Sequence, residues 1–215
     1  MEHGLQVGVV IAAYLLGSIP TGYLVGRARG IDVRTMGSGN IGATNAFRIL
    51  GKTAGCVVLL ADALKGYLAC TFLVWVFLQM VDSRPLGDLA ERLALIAGVA
   101  GILGHNYTCW LKFKGGKGIA TSAGVLLALV PSGLAIAFAT WLAVFVLSKY
   151  VSLASIASAI VLPIGVWLTG NSTRLIVVTA GLSALAIYKH KGNIQRLMNG
   201  TESRFGSKNL TQSAP

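Results

Sequence analysis

The chain has 215 residues, of which 54% are apolar and only 12% charged, and its mean hydropathy is +0.72. Because soluble domains carry about a quarter charged residues, this composition excludes an ordinary soluble domain. The formal charge of +11 would suit a nucleic-acid-binding protein, but the basic residues lie in short segments between apolar runs. That distribution indicates membrane topology, so we expect one integral-membrane domain over 1–215 and no nucleic-acid partner.

Apolar runs follow one another along the chain. A transmembrane helix needs about 20 apolar residues, and the first runs of that length are 5–26, 53–80 and 90–109. The block 118–188 is too long for one helix, and turn-forming residues divide it into four, at 131–133, 148–150 and 170–172. The sequence therefore predicts an all-α polytopic fold of about seven transmembrane helices, of which 118–130 is the shortest. A five-span fold with two half-inserted runs is the alternative.

The basic residues predict the orientation. Fourteen of the 18 Lys and Arg residues lie in alternate loops and the C-terminal tail, all on one predicted side: Arg27, Arg29, Arg34, Arg48, Lys52, Lys112, Lys114, Lys117, Lys149, Lys189, Lys191, Arg196, Arg204 and Lys208. The other side carries Arg84, Arg92 and Arg174, and Lys65 lies inside a run. By the positive-inside rule, the N-terminus is outside and the C-terminus is cytoplasmic.

The first cytoplasmic segment, 27–52, contains the run GSGNIGATNAFR at 37–48. Glycines let successive backbone N–H groups turn towards one centre and bind an anion. The run also holds hydroxyl and amide donors and an arginine, whose guanidinium can form two hydrogen bonds to phosphate oxygens. The candidates are Gly37, Ser38, Gly39, Asn40, Thr44, Asn45 and Arg48. The alternative is a tight re-entrant loop whose polar groups satisfy its own backbone.

The second cytoplasmic segment, 110–118, ends in KFKGGKG. A glycine loop with lysines that leads into a helix suits a phosphate group, and the candidates are Lys112, Gly115, Gly116, Lys117 and Gly118. It is not a Walker A loop, because Leu111 and Gly118 stand where that motif requires glycine and then Ser or Thr. The alternative is a basic anchor at the membrane surface.

The third cytoplasmic segment, 189–208, directly follows the last apolar run. His190 and Asn193 would lie one helical turn apart at the membrane surface if the helix continues. A basic segment in this position is also typical of a lipid-headgroup anchor, so this segment alone does not decide between the two.

Two polar features interrupt the apolar runs. Asp62 and Lys65 share one helix face, and charges in lipid are costly. They are either a mutually neutralising pair inside the bundle, or they brace the first loop or border the substrate cavity. Ser155 belongs to a serine stripe that is typical of helix–helix packing, or it lines a cavity near the cytoplasmic end.

Several catalytic motifs are missing from the sequence. It holds no G-x-S-x-G elbow, no H-E-x-x-H and no acidic cluster for a metal. The H-x-x-x-x-D motif of thioester-dependent acyltransferases is also absent, since Trp110 stands five residues after His105 and Gln195 five after His190. We expect no metal and no cofactor.

Three segments occur in order along the chain, GSGNIGATN at 37–45, KFKGGKG at 112–118 and HKGNIQRLMNGTE at 190–202. With GSIPTG at 17–22 and DALKG at 62–66, they make the chain resemble the acyl-phosphate-dependent glycerol-3-phosphate acyltransferases of bacterial membranes. The resemblance implies transfer of a fatty acyl group from acyl phosphate to the 1-hydroxyl of glycerol 3-phosphate. It also implies an active site on the cytoplasmic face of the bacterial inner membrane.

The resemblance assigns roles to the candidate residues. It implies catalysis by Ser38, Thr44, Asn45 and Arg48, glycerol phosphate binding by the glycines and Lys117 of 115–118, and completion of the site by His190 and Asn193. The expected partners are glycerol 3-phosphate, a fatty acyl phosphate and membrane lipids. Acyl phosphate is an activated anhydride, so the enzyme needs no nucleophile, and the general base stays open between His190 and a substrate phosphate oxygen.

Two other classes of protein compete with the acyltransferase. A transporter of phosphate esters would have internal repeats around a site at the membrane midplane, and no convincing repeat is found in the sequence. A lipid-binding scaffold would explain the basic loops but not the hydroxyl- and amide-rich run at 37–45.

Overall fold

The structure is a computed structural model that describes residues 2–81 and 87–206, and within these ranges every regular element is helical, as predicted. The helices are α1 (Glu2–Ser18), α2 (Thr21–Arg27), α3 (Ala43–Ile49), α4 (Lys52–Leu68), α5 (Val74–Leu78), α6 (Gly87–Asn106), α7 (Ile119–Leu129), α8 (Pro131–Ser148), α9 (Val151–Leu168), α10 (Thr173–Lys189) and α11 (Lys191–Met198). A π-helical turn, Ala69–Leu73, joins α4 to α5. The chain forms two compact units, the first ending at Leu129 and the second beginning at Val130.

Within residues 2–81 and 87–206, four helical segments are long and apolar enough to cross a membrane: Glu2–Arg27, Lys52–Leu78, Pro131–Ser148 and Val151–Leu168. They coincide with four predicted apolar runs, and the other three runs form α6, α7 and α10. Large apolar side chains are exposed on these segments, with Leu60 67% and Leu147 86% exposed. Such a surface suits lipid contact. The seven-span topology, the orientation and the single domain over 1–215 stay predictions, and Arg84 and Lys208 lie outside the described residues.

In the first unit, α1 packs against α6 and α4 packs against α7. Small residues bring the backbones together, since a Cβ added at Gly17 would overlap the carbonyl of Gly101. A Cβ at Gly66 would likewise overlap the carbonyl of Thr121. Close backbone approach at small residues is how helices commonly associate in membranes, so this packing does not depend on charged side chains.

The first predicted span is broken in the structure at Ile19 and Pro20, where α1 ends and α2 begins. Proline has no backbone N–H and interferes with the preceding helical turn. Buried polar side chains donate hydrogen bonds to the backbone carbonyls that the break leaves without a helical partner. The Lys65 Nζ donates to the Ile19 carbonyl at 2.7 Å. The Thr108 Oγ1 donates to the Ser18 carbonyl at 2.6 Å. The break is therefore satisfied inside the protein, as a membrane requires.

In the second unit, α9 packs against α8, α10 and α11. Pro131 opens α8, at a position where the missing N–H is not needed. The C-terminal segment packs back onto this unit, because the Phe205 N–H donates to the Lys149 carbonyl at 2.8 Å and its ring meets Phe145 edge-on at 5.6 Å. The polar residues of α11 and the segment after it are thus held beside the start of α9.

Candidate active site

The loop at 33–45 is folded around the side chain of Asn45, which is 1% exposed. Its Nδ2 lies within hydrogen-bond distance of three carbonyl oxygens, those of Val33 at 3.0 Å, Met36 at 3.2 Å and Asn40 at 2.9 Å. Its Oδ1 accepts the backbone N–H of Ser38 at 2.9 Å. Asn45 therefore fixes the shape of the loop, and its amide is fully engaged in doing so.

The other polar groups of this loop fall into two sets. The backbone N–H of Gly39 donates to the Met36 carbonyl at 3.0 Å, and the N–H of Gly42 donates to the Asn40 Oδ1 at 2.9 Å. These groups, like Asn45, do what the re-entrant-loop alternative expects. The hydroxyls of Ser38 and Thr44 differ, because they make no hydrogen bond within the described residues. Ser38 and Thr44 are therefore the donors that the folding of the loop does not use.

Two left-handed glycines shape the same loop, Gly37 with φ +59° and Gly39 with φ +67°. A Cβ at Gly37 would overlap the Oδ1 of Asn45, so glycine is required there by contact as well as by backbone angle. Arg48 lies one turn after Thr44 on α3 and is half-buried. Residues four apart share a helix face, so Thr44 and Arg48 lie on the same side of α3, and their catalytic roles stay predictions.

The glycine–lysine loop, residues 112–118, is attached to the end of α6. The Gly115 N–H donates to the Asn106 carbonyl at 3.2 Å, and the Gly116 N–H donates to the His105 carbonyl at 3.0 Å. A Cβ at Gly116 would overlap the Nε2 of His105. The amides of both glycines are therefore used inside the protein, and glycine is needed for close approach. Contact of Gly115 and Gly116 with a substrate phosphate stays a prediction.

The remaining candidates of this loop lie on either side of the two glycines. Lys112 is exposed and, with Phe113, has a left-handed backbone at φ 54° and 61°, which is strained for residues other than glycine. Gly118 is buried with φ +80°, and Lys117 is half-buried. Helix α7 begins at the next residue, as predicted, so its positive N-terminal end adjoins Lys117 and Gly118.

A buried ionic cluster lies between α2, α4 and α6. The Lys65 Nζ is 2.8 Å from the Asp62 Oδ1, and the two residues are 5% and 1% exposed. The Thr21 hydroxyl donates to the same carboxylate oxygen at 3.0 Å, and the Nδ1 of His105 lies 3.6 Å from it. The predicted pairing of Asp62 with Lys65 is confirmed. Sequence analysis did not identify Thr21 and His105 as its partners.

In the second unit, His190 is where α10 ends and α11 begins, so the helix does not continue through it. Its side chain is 3% exposed, and its Nδ1 is 2.8 Å from the Ala186 carbonyl. Because a carbonyl only accepts, the Nδ1 of His190 carries a proton and is the donor in this contact. The Asn193 N–H donates to the His190 carbonyl at 2.8 Å, so the two residues stay one turn apart despite the break.

Glu202 organises this part of the second unit, although sequence analysis did not include it among the candidates. Its Oε1 accepts the Asn193 Nδ2 at 2.6 Å and the Ser152 hydroxyl at 2.7 Å, and its Oε2 accepts the Arg196 Nε at 2.7 Å. Burial alone would raise the pKa of Glu202, but these hydrogen bonds outweigh burial and lower it. Asn193 is thus oriented by an ionised carboxylate.

Ser155 is 2% exposed, and its hydrogen bonds lie within the α8–α9 pair. Its hydroxyl donates to the Val151 carbonyl at 2.8 Å and accepts the Trp141 Nε1 at 3.3 Å. This is the helix-packing role that sequence analysis weighed as an alternative, and contact of Ser155 with substrate stays a prediction.

Asp32, a carboxylate of the segment 27–52, is paired within the first unit. Arg34 forks onto it with Nε–Oδ1 and Nη2–Oδ2 distances of 2.9 Å and 2.6 Å. The hydrogen bonds from Arg34 lower the pKa of Asp32 to about 2. The guanidinium also lies 4.7 Å from the centre of the Tyr23 ring. Asp32 is therefore ionised, neutralised and a weak proton acceptor.

The chain was compared with known proteins. A family model described as glycerol-3-phosphate acyltransferase matches residues 7–200. The glycerol-3-phosphate acyltransferase of Desulforamulus reducens is 43% identical over 209 residues, which are 97% of this chain and 99% of that protein. That of Geotalea daltonii is 43% identical over 200 residues, which are 93% of this chain and 97% of that protein.

Two solved structures share the fold. A crystal structure of PlsY (YgiH), an integral membrane glycerol 3-phosphate acyltransferase in the glycerol 3-phosphate form, matches with a TM-score of 0.84 and 38% identity, over 96% of this chain and 99% of that one. The lysophosphatidic acid form matches with a TM-score of 0.81 and 37% identity, over 95% and 97%. With its apolar helices, the chain is a multi-pass membrane protein. It belongs to the glycerol-3-phosphate acyltransferase family.

Proposed function

We propose that this chain transfers a fatty acyl group from acyl phosphate to the 1-hydroxyl of glycerol 3-phosphate, in the first acylation step of phospholipid biosynthesis. The products are 1-acyl-glycerol 3-phosphate and inorganic phosphate. The observation that carries the proposal is the match, over 96% of the chain, to an acyltransferase structure in its glycerol 3-phosphate form. The basic loops support a site on the cytoplasmic face of the bacterial inner membrane.

The acidic residues favour acyl phosphate as the donor. The cytoplasmic carboxylates Asp32 and Glu202 are both ion-paired and have lowered pKa values, so neither is suited to act as a general base near neutral pH. The hydroxyl of Ser38 has no hydrogen-bonded base within the described residues, so it is not an activated nucleophile. Acyl phosphate carries a good leaving group and phosphate oxygens that can take a proton, so with this donor the protein needs to supply neither device.

The basic residues suit two phosphate-bearing substrates. A phosphate monoester carries about −1.5 to −2 charges near neutral pH. In our proposal, Lys117 and the N-terminal end of α7 hold the phosphate of glycerol 3-phosphate, with Lys112 at the entrance. Ser38, Thr44 and Arg48 stabilise the oxyanion that develops on the acyl carbon and the departing phosphate. His190 and Asn193 act in the same reaction, as the family resemblance implies.

The proton of the glycerol hydroxyl goes to a phosphate oxygen of the substrate in this mechanism. The hydroxyl oxygen attacks the acyl carbon, the bond from that carbon to the bridging phosphate oxygen breaks, and inorganic phosphate leaves with the proton. The second pKa of a phosphate lies near 6, close to the working pH, which is the favourable range for a general base.

The test uses purified protein with palmitoyl phosphate and radiolabelled glycerol 3-phosphate, and follows labelled lysophosphatidate. Palmitoyl-CoA and acyl carrier protein thioester are parallel donors. We expect product with palmitoyl phosphate alone, and a loss with Arg48→Ala of about a hundredfold or more. The matched variant Arg92→Ala removes a half-buried arginine that pairs with Glu2 at 3.0 Å and with Asp88 at 3.2 Å, and it should keep full activity.

Two results would contradict the proposal. Equal activity with a thioester donor would overturn the choice of acyl phosphate. The absence of product with every donor would overturn the reaction itself, and uptake of glycerol 3-phosphate into proteoliposomes would then point to a transporter.

A further inference from the structure

The proposed function does not use the buried ionic cluster of Thr21, Asp62, Lys65 and His105. We infer that this cluster positions the glycine–lysine loop, residues 112–118, for glycerol 3-phosphate. The cluster itself touches no substrate; it acts through the backbone of Gly116. The inference rests on the proposed function, because it assigns the loop to that substrate.

The first step is that stability gives little reason for such a cluster. Taking charges out of water costs several kcal/mol per ion, and apolar residues of similar volume often stabilise a protein as well as a buried ion pair does. Helix α4, which carries both charges, already packs against α7 through small residues: Gly66 contacts the backbone of Thr121, and Gly124 contacts the backbone of Ala63. The α4–α7 pair therefore does not need the charges of Asp62 and Lys65 to associate.

The second step is that the cluster is anchored on the first two spans. Lys65 reaches the Ile19 carbonyl at the break before Pro20, at 2.7 Å. Thr21, the first residue of α2, donates to Asp62 at 3.0 Å. The carboxylate of Asp62 is thus held by donors from two different helices, and its position is fixed relative to both.

The third step connects this carboxylate to the loop. The Nδ1 of His105 lies 3.6 Å from the Asp62 Oδ1, and the ring is 4% exposed. The opposite nitrogen, Nε2, packs so closely under Gly116 that a Cβ there would overlap it. The carbonyl of His105 accepts the Gly116 N–H at 3.0 Å. A tilt of the imidazole must therefore move Gly116, and Lys117 is the next residue.

The test is a double variant, Asp62→Leu/Lys65→Met, assayed as the purified full chain. It replaces both charges by apolar side chains of similar size and leaves His105 without its carboxylate. We expect the melting temperature in detergent to stay close to that of the wild type. The KM for glycerol 3-phosphate should rise about tenfold or more, since small misplacements of a binding group have large effects. The KM for palmitoyl phosphate should change less than about twofold, because the substitutions weaken the binding of glycerol 3-phosphate and leave the donor's contacts in place.

A milder pair of variants covers the case in which the double variant does not fold. Thr21→Val keeps the shape of the side chain but removes the donor to Asp62, whereas Thr21→Ser keeps the donor. We expect a raised KM for glycerol 3-phosphate with Thr21→Val and a wild-type KM with Thr21→Ser. Arg92→Met, which removes an exposed ion pair, is the control with unchanged KM values.

The outcomes separate this inference from the proposed function. A folded double variant with the wild-type KM for glycerol 3-phosphate would overturn the inference, and so would a wild-type KM in Thr21→Val if the double variant does not fold. Equilibrium dialysis with radiolabelled glycerol 3-phosphate measures binding without turnover. If the wild type binds the label but forms no product with any donor, the reaction is wrong, and weaker binding by the variants still supports the positioning role.

Discussion

Replacement of Asn45 by aspartate is the sharpest test of how the first loop is built. Aspartate has the same shape, and one carboxylate oxygen can still accept the Ser38 N–H, which is 2.9 Å from the Asn45 Oδ1. The second oxygen, however, would face the carbonyls of Val33, Met36 and Asn40, which now accept from Nδ2 at 3.0, 3.2 and 2.9 Å. The variant therefore replaces a donor by an acceptor among three acceptors, at a position that is 1% exposed.

The size of the effect follows from the number of protons lost. The two protons of Nδ2 are shared among three carbonyls, and one hydrogen bond contributes a net of about 1 kcal/mol. The loss lowers the local stability of the loop by about 2 kcal/mol before any repulsion is added. A change of that size is roughly a thirtyfold change in an equilibrium constant.

Hydrogen exchange measured by mass spectrometry reports this local stability. We expect the backbone amides of 33–42 in Asn45→Asp to exchange about thirtyfold faster or more, and kcat/KM with palmitoyl phosphate to fall at least about tenfold. Asn40→Asp is the matched control for exchange. The Asn40 Oδ1 only accepts, from the Gly42 N–H at 2.9 Å, and a carboxylate accepts equally well. Wild-type exchange in Asn45→Asp, or equal acceleration in Asn40→Asp, would refute the reasoning.

Three further predictions concern other residues of the candidate site. Gly116→Ala should raise the KM for glycerol 3-phosphate about tenfold or more, because its Cβ overlaps the His105 ring, whereas Gly181→Ala, with open space around it, should leave the steady-state kinetics unchanged. Glu202→Gln should lower the melting temperature in detergent near neutral pH. The pKa of Glu202 is lowered from the ordinary value of 4.5, so the ionised carboxylate stabilises the folded protein above pH 4.5. This stabilisation is lost as the pH falls through the folded-state pKa. The difference in melting temperature between wild type and variant should therefore shrink on acidification. His190→Ala should reduce kcat less than about a thousandfold at saturating substrates, whereas a larger loss with intact binding would make His190 the general base.

The helices were predictable from the sequence because the length of each apolar run and the turn-forming residues between the runs determine them. The runs predicted at 53–80 and 118–130 appear as Lys52–Leu78 and Ile119–Leu129. The break at Pro20 was missed because the run 5–26 was assigned by its length and overall apolar character, although Ser18, Pro20 and Thr21 interrupt it. What permits the break is a set of donors far away in the sequence, Lys65 and Thr108, and residue patterns within one segment do not reveal such partners.

The candidate segments were predictable from composition, but the use of each group was not. A glycine-rich run with amides suggests both an anion site and a self-satisfied loop, and only the fold shows that Asn45 donates to three carbonyls of its own loop. Glu202 ends the segment HKGNIQRLMNGTE at 190–202 that carries part of the resemblance, but no role was predicted for it. Its closeness to Asn193 arises because the chain turns back after α11, which the sequence pattern does not indicate.

The arrangement around His190 bears on which group accepts the proton in the proposed reaction. In a Ser-His-Asp triad, the nitrogen that faces away from the reaction donates to a carboxylate, which stabilises the imidazolium. The Nδ1 of His190 instead donates to the Ala186 carbonyl at 2.8 Å, in a side chain that is 3% exposed. A neutral carbonyl fixes the tautomer but offers a buried cation much less than a carboxylate does. The Nδ1 of His190 is thus engaged by a carbonyl rather than by a carboxylate, which supports our proposal that a substrate phosphate oxygen accepts the proton.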